Sequence, residues 1–176
     1  MNKGRNITKA FEFVRRFYGE VAQLASKLDD LMEHENWRSA RGNTVTSLVS
    51  KDLLKPELWL PDSIFRLYEN RKVTALIKGI VIYFISEDLT EPILIMGTIK
   101  YRKRKEAQDW DIWNLWIANE RRSLNKDYAE RDSVANEPYV HEGVIDRACL
   151  YAINLMNIKS EEDIKTKIFN KLMQQK

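Results

Sequence analysis

The chain has 176 residues, of which 44% are hydrophobic and 31% charged, and a net charge of +3. That length suits a single domain over 1–176. The composition suits a packed core, which excludes disorder and any need for a disulfide or metal to fold. The mild positive charge permits an acidic partner without requiring one.

The opening MNKGRNITKA lacks the apolar core of a signal peptide. The longest purely apolar run, Ile80 to Ile85, is six residues, against about 20 needed to span a bilayer. A soluble, cytoplasmic protein with no membrane partner is expected.

The first element is a helix over 7–33. Ile7, Phe11, Val14, Tyr18, Val21, Ala25, Leu28 and Met32 recur at alternating intervals of four and three. Ala10, Phe17, Leu24 and Leu31 widen the stripe beyond a coiled-coil seam, so packing on a sheet is favoured. Such a helix is ~40 Å long, and a chain of this size folds to a body only about 40 Å across. It therefore either forms the spine of the fold or overhangs and meets another subunit. Gly19, inside it, marks a bend or a close contact.

SARGNT after the helix reads as a turn. Between 62 and 70 the pattern is ambiguous. Asp62 could cap a short helix burying Ile64, Phe65, Leu67 and Tyr68, and that reading is preferred to a strand. VTALIKGIVIYFIS (73–86) and PILIMGTIKYRK (92–103) are strands joined as a hairpin, rich in β-branched residues. In the second, Ile93, Ile95, Gly97, Ile99 and Tyr101 share one face, and Leu94, Met96, Thr98, Lys100 and Arg102 the other. Gly79 and Gly97 suggest a helix approaching closely, or a bulge. WDIWNLWIA (110–118) is taken as a strand, 119–143 as a long polar connection, and GVIDRACLYAINLM as a last strand. A terminal helix follows Ser160, with Asp163 three residues on as in a capping box. The expected fold is α+β, an antiparallel sheet packed against a long N-terminal helix and a C-terminal helix.

Lys100, Arg102, Lys103, Arg104 and Lys105 precede Trp110, Trp113 and Trp116, with Arg121 and Arg122 beyond. Cations for phosphates beside aromatic faces for bases would suit nucleic acid. Against this, strand alternation splits the charge between two faces, and Glu106, Asp109 and Asp111 would repel phosphate. The simpler reading is a solvated hairpin tip. The tryptophans are then core or a protein-contact surface.

A metal-dependent hydrolase or nuclease would need converging acids, and no acid-x-lysine pattern follows Glu91 on its strand. His34 sits among glutamates at a helix end. His141 with Cys149 would need the fold to bring them together. Cys149, the sole cysteine, lies in apolar surroundings and reads as a structural thiol, with Arg147 the one nearby cation. There is no glycine-rich phosphate loop. No cofactor and no catalytic set are expected. The function expected is a non-catalytic interaction module, partnered by itself as a homo-oligomer or by another protein. A nucleic-acid-binding accessory protein and a metal-dependent hydrolase are the alternatives.

Overall fold

The computed structural model describes residues 3–47, 60–84, 91–102 and 145–174, together with 49, 53 and 54. Helix α1 (Lys3–His34) is followed by two-residue strands β1 (Arg38–Ser39) and β2 (Thr46–Ser47). The long strands are β3 (Ser63–Glu69), β4 (Leu76–Tyr83), β5 (Ile93–Tyr101) and β6 (Ile145–Asn154). A 3₁₀ turn, Leu155–Asn157, leads into the C-terminal helix α2. This helix runs as an α-helical turn Glu161–Asp163, a wider π-helical stretch Ile164–Phe169 and a last α-helical turn Asn170–Gln174.

Among the described residues every strand pairing is antiparallel, in the order β1-β3-β4-β5-β6, with β2 also pairing β3. The architecture is therefore α+β, with a long N-terminal helix and a C-terminal helix as anticipated. The two faces of β5 alternate as the sequence suggested. One carries Ile93, Ile95, Ile99 and Tyr101 into a cluster with Phe65, Val81 and Leu150. The other carries Leu94 and Met96 into a cluster with α1, α2 and Trp37.

Within 62–70 the chain forms strand β3, not the helix preferred from sequence. Ile64, Phe65, Leu67 and Tyr68 fit a helical stripe, but they fit equally a strand buried on both faces. Pairing decides between them, because β3 is matched to β4 along its whole length, Ser63 to Tyr83 through Glu69 to Ile77. Asp62 is not a helix cap; its Oδ1 accepts from the Ser63 hydroxyl at 2.9 Å. The close approach at Gly97 comes from the neighbouring strand rather than from a helix. A Cβ there would lie 2.3 Å from Leu150 Cδ2 and 2.6 Å from the Cys149 carbonyl oxygen. The strand proposed over 110–118 and the connection 119–143 lie outside the described residues.

α1 ends in a Schellman motif. Asn36 takes φ 63°, its N–H donates to the Glu33 carbonyl at 2.9 Å, and the Trp37 N–H donates to the Met32 carbonyl at 2.9 Å. The hydrophobic contact that accompanies this motif is present, since Met32 and Trp37 are both buried in the same cluster. α2 begins at the expected cap. The Asp163 N–H donates to Ser160 Oγ at 3.1 Å, and Asp163 Oδ2 accepts from the Lys159 N–H at 2.9 Å. The Lys159 N–H bond to the carboxylate, then hydrogen bonds to it from Lys167 and the Ser160 hydroxyl, hold the Asp163 carboxyl down to about 2.

Gly19 lies within α1, exposed, and a Cβ there would meet nothing within 4 Å. Among the described residues the close contact anticipated at this glycine is absent, which leaves its backbone freedom to be counted. Gly19→Ala is expected to raise stability by about 1 kcal/mol through helix propensity alone. Urea unfolding would read this directly. A loss of stability would mean that the glycine meets something in the assembled protein.

Candidate functional site

Two ionic clusters join the helices to the sheet. In the first, Asp29 of α1 meets Arg66 and Tyr68 of β3. Arg66 Nε donates to Asp29 Oδ1 at 2.9 Å, and a second guanidinium nitrogen donates to Oδ2. The third guanidinium nitrogen donates to the carbonyls of Gly42 at 2.6 Å and Thr44 at 3.1 Å. The Tyr68 hydroxyl adds a bond to Asp29 Oδ1 at 2.9 Å. Burial, then the adjacent Asp29 charge and its hydrogen bond, push the Tyr68 phenol well above its usual range. These bonds engage the whole guanidinium, so the group holds three segments together.

In the second, Lys78 of β4 is 2% exposed. Its ammonium donates to the Leu172 carbonyl near the end of α2 and lies 5.1 Å from the centre of the Trp37 ring. Burial lowers it from 10.5 to about 8. Sequence reasoning passed over both clusters. The available signal was a charged residue in the middle of an otherwise apolar strand, Lys78 in LIKGIVIY and Arg66 in SIFRLYE.

Of the basic residues considered for nucleic acid, Lys100 is exposed and pairs with Asp146 at 3.0 Å. Arg102 is exposed immediately beyond β5. A register shift between Lys100 and Tyr101 skips Asp146 on β6, while β5 keeps its alternation, Lys100 exposed and Tyr101 buried. Lys103, Arg104, Lys105, Arg121, Arg122, Trp110, Trp113, Trp116 and His141 lie outside the described residues. His34 is exposed in the last turn of α1. Among the described residues no three His, Cys, Asp or Glu side chains are grouped to hold a metal, and no helix is long and apolar enough to cross a membrane.

The feature with unspent binding capacity is α1 itself. Its second half is buried, with Val21, Leu24, Leu28 and Met32 packed among Ile80, Leu94, Met96 and the apolar face of α2. Phe17 and Tyr18 close that contact edge-on against Phe84, with ring centres 5.4 and 5.6 Å away. Toward the N-terminus the same stripe continues uncovered. Ile7 is 59% exposed, Phe11 62% and, beside the stripe, Phe13 65%. From Lys3 to Phe17 the helix extends roughly 20 Å at 1.5 Å per residue. Its polar side carries Arg5, Lys9, Arg15 and Arg16 against Glu12 and Glu20.

The site and fold together describe an antiparallel sheet with a two-helix layer, one helix of which runs on past its packing partners. No protein-family model, no curated protein and no solved structure matches the chain.

Proposed function

We propose that the protein is a non-catalytic interaction module that associates with a second copy of itself through the first half of α1. The observation that carries this reading is the continuity of one stripe, covered by the sheet from Val21 onward and bare at Ile7 and Phe11. Exposed aromatic surface of this kind is a common mark of protein contacts.

A second copy suits the stripe in an antiparallel arrangement. Phe11 and Tyr18 are seven residues, or about two turns, apart on the stripe. A two-fold axis passing between Val14 and Arg15 sets Phe11 against the partner's Tyr18. The pair is then made twice across the axis.

Sedimentation is expected to show a dimer that Phe11→Asp converts to a folded monomer. A buried aromatic anchor contributes on the order of 2 kcal/mol, and the dimer holds two, so the dissociation constant should rise by roughly 1000-fold. Salt separates the possible occupants. The first half of α1 carries a basic excess, so pairing with itself should tighten as salt screens it. Docking on anionic lipid or an acidic protein should loosen instead. A monomer at the highest attainable concentration, or an association weakened by salt, overturns the reading.

A further inference from the structure

On the helix-covered face of the sheet, beyond the last turn of α2, lies a pocket of about 290 Å³. Strand register builds it. Thr98 of β5 stands opposite Cys149 of β6, and Lys100 opposite Arg147. Leu76 of β4, paired with Lys100, forms an apolar wall, and Gln174 of α2 borders the opening.

The chemistry of the walls is one-sided. Thr98 is 5% exposed, lines the pocket, and its hydroxyl has no hydrogen-bond partner among the described residues. A buried hydroxyl in that condition is a cost that a native fold normally avoids. Above it Arg147 is exposed at the rim. Lys100 is matched by Asp146 at 3.0 Å, so among the described residues Arg147 is the charge in the wall without an ion pair. The negative end of α2, which would otherwise repel an anion here, is met by the Lys78 ammonium at the Leu172 carbonyl. The Cys149 thiol is turned to Tyr151, its Sγ 3.7 Å from the phenol oxygen, and remains partly accessible from the pocket.

We propose that this pocket binds a small molecule through one oxyanion group, a carboxylate or a phosphate, taken between the Arg147 guanidinium and the Thr98 hydroxyl. The volume lies at the low end of the range for small-molecule sites, and an apolar wall with a few convergent polar groups is their usual make-up. The inference is independent of self-association, because it uses the opposite end of the sheet's helical layer from the bare half of α1.

The sole cysteine makes the test direct. Labelling of Cys149 by an aromatic disulfide reagent is followed with added inorganic phosphate, with added acetate, and with chloride at the same ionic strength. Phosphate or acetate is expected to slow labelling saturably, chloride not at all, and the stronger of the two names the group. Arg147→Gln and Thr98→Val should each weaken the protection by roughly tenfold, the loss of a hydrogen bond to a charged group. Thr98→Val should leave the fold at least as stable, since it removes an unpartnered hydroxyl. Arg147, at the surface, can be replaced without touching the core. Absence of protection by either anion, equal protection by chloride, or protection unchanged in Arg147→Gln overturns the proposal.

Discussion

Arg66→Met is expected to cost about 3–5 kcal/mol, the range for removing one partner of a buried ion pair. Arg66 is 6% exposed, and its guanidinium bonds Asp29 twice and the carbonyls of Gly42 and Thr44 once each. Methionine fills similar space but leaves the Asp29 carboxylate, among the described residues, with the Tyr68 hydroxyl alone, and strands both carbonyls. Most of the loss is thus the cost of unpaired groups left behind, rather than the worth of the pair itself. A double-mutant cycle makes that distinction. Asp29→Leu in the Arg66→Met background should recover part of the loss, with a coupling of about 1.5 kcal/mol or more. Urea unfolding of the four proteins measures it. Strict additivity would show that the two side chains do not share one network. Amide exchange should quicken at Gly42 to Thr44, whose turn is held to the sheet by the same guanidinium.

What could be read beforehand follows the range of the forces involved. α1 was legible because its order is local. The four-and-three spacing from Ile7 to Met32 states a helix and its buried side, and helix length against the expected size of the body raised the question of an overhang. The hairpin β4–β5 and the facing of β5 were legible for the same reason, as was the Ser160–Asp163 cap, whose two members sit three residues apart. β3 was misjudged because a strand buried on both faces has no alternation to display, and Asp62 before it looks like a cap. The ionic clusters were illegible because their partners are remote. Arg66 lies 37 residues from Asp29, and Lys78 lies 94 residues from Leu172. A charged residue within a strand ordinarily indicates a solvated edge. Only the assembled helix layer shows that these two are enclosed. The pocket is of the same kind, since nothing local to Thr98 places it opposite Cys149. The stretch that drew most attention in the sequence, Lys100 to Trp116, is mostly outside the described residues. Of its cations Lys100 is matched to Asp146.

Stability should rise with pH between about 8 and 10, contrary to the usual fall of a protein in alkali, and Lys78 is the reason. Its ammonium is enclosed by α2, Trp37 and the sheet, and loss of water lowers it from 10.5 to about 8. The sign follows from proton counting. Below about 8 the lysine is charged both in the fold and in the unfolded chain, and the fold bears the full cost of enclosing it. Between about 8 and 10.5 the folded lysine is neutral while the unfolded one still holds its proton. The unfolded state then binds more protons, and the free energy of unfolding increases with pH. The distance between 10.5 and about 8 corresponds to roughly 3 kcal/mol across the whole window. Tyr68 sets the upper limit. Its phenol stays neutral in the fold well above 10 but ionises near 10 when unfolded, so beyond that point the slope reverses and a maximum near pH 10 results. Lys78→Met should remove the rise while keeping the fall above pH 10, because it deletes only the group that titrates in the lower window. Urea unfolding from pH 7 to 11 on both proteins gives the two curves. A flat or falling wild-type curve between pH 8 and 10 would mean that the Leu172 carbonyl and the Trp37 ring hold the charge well enough to cancel the cost of its burial.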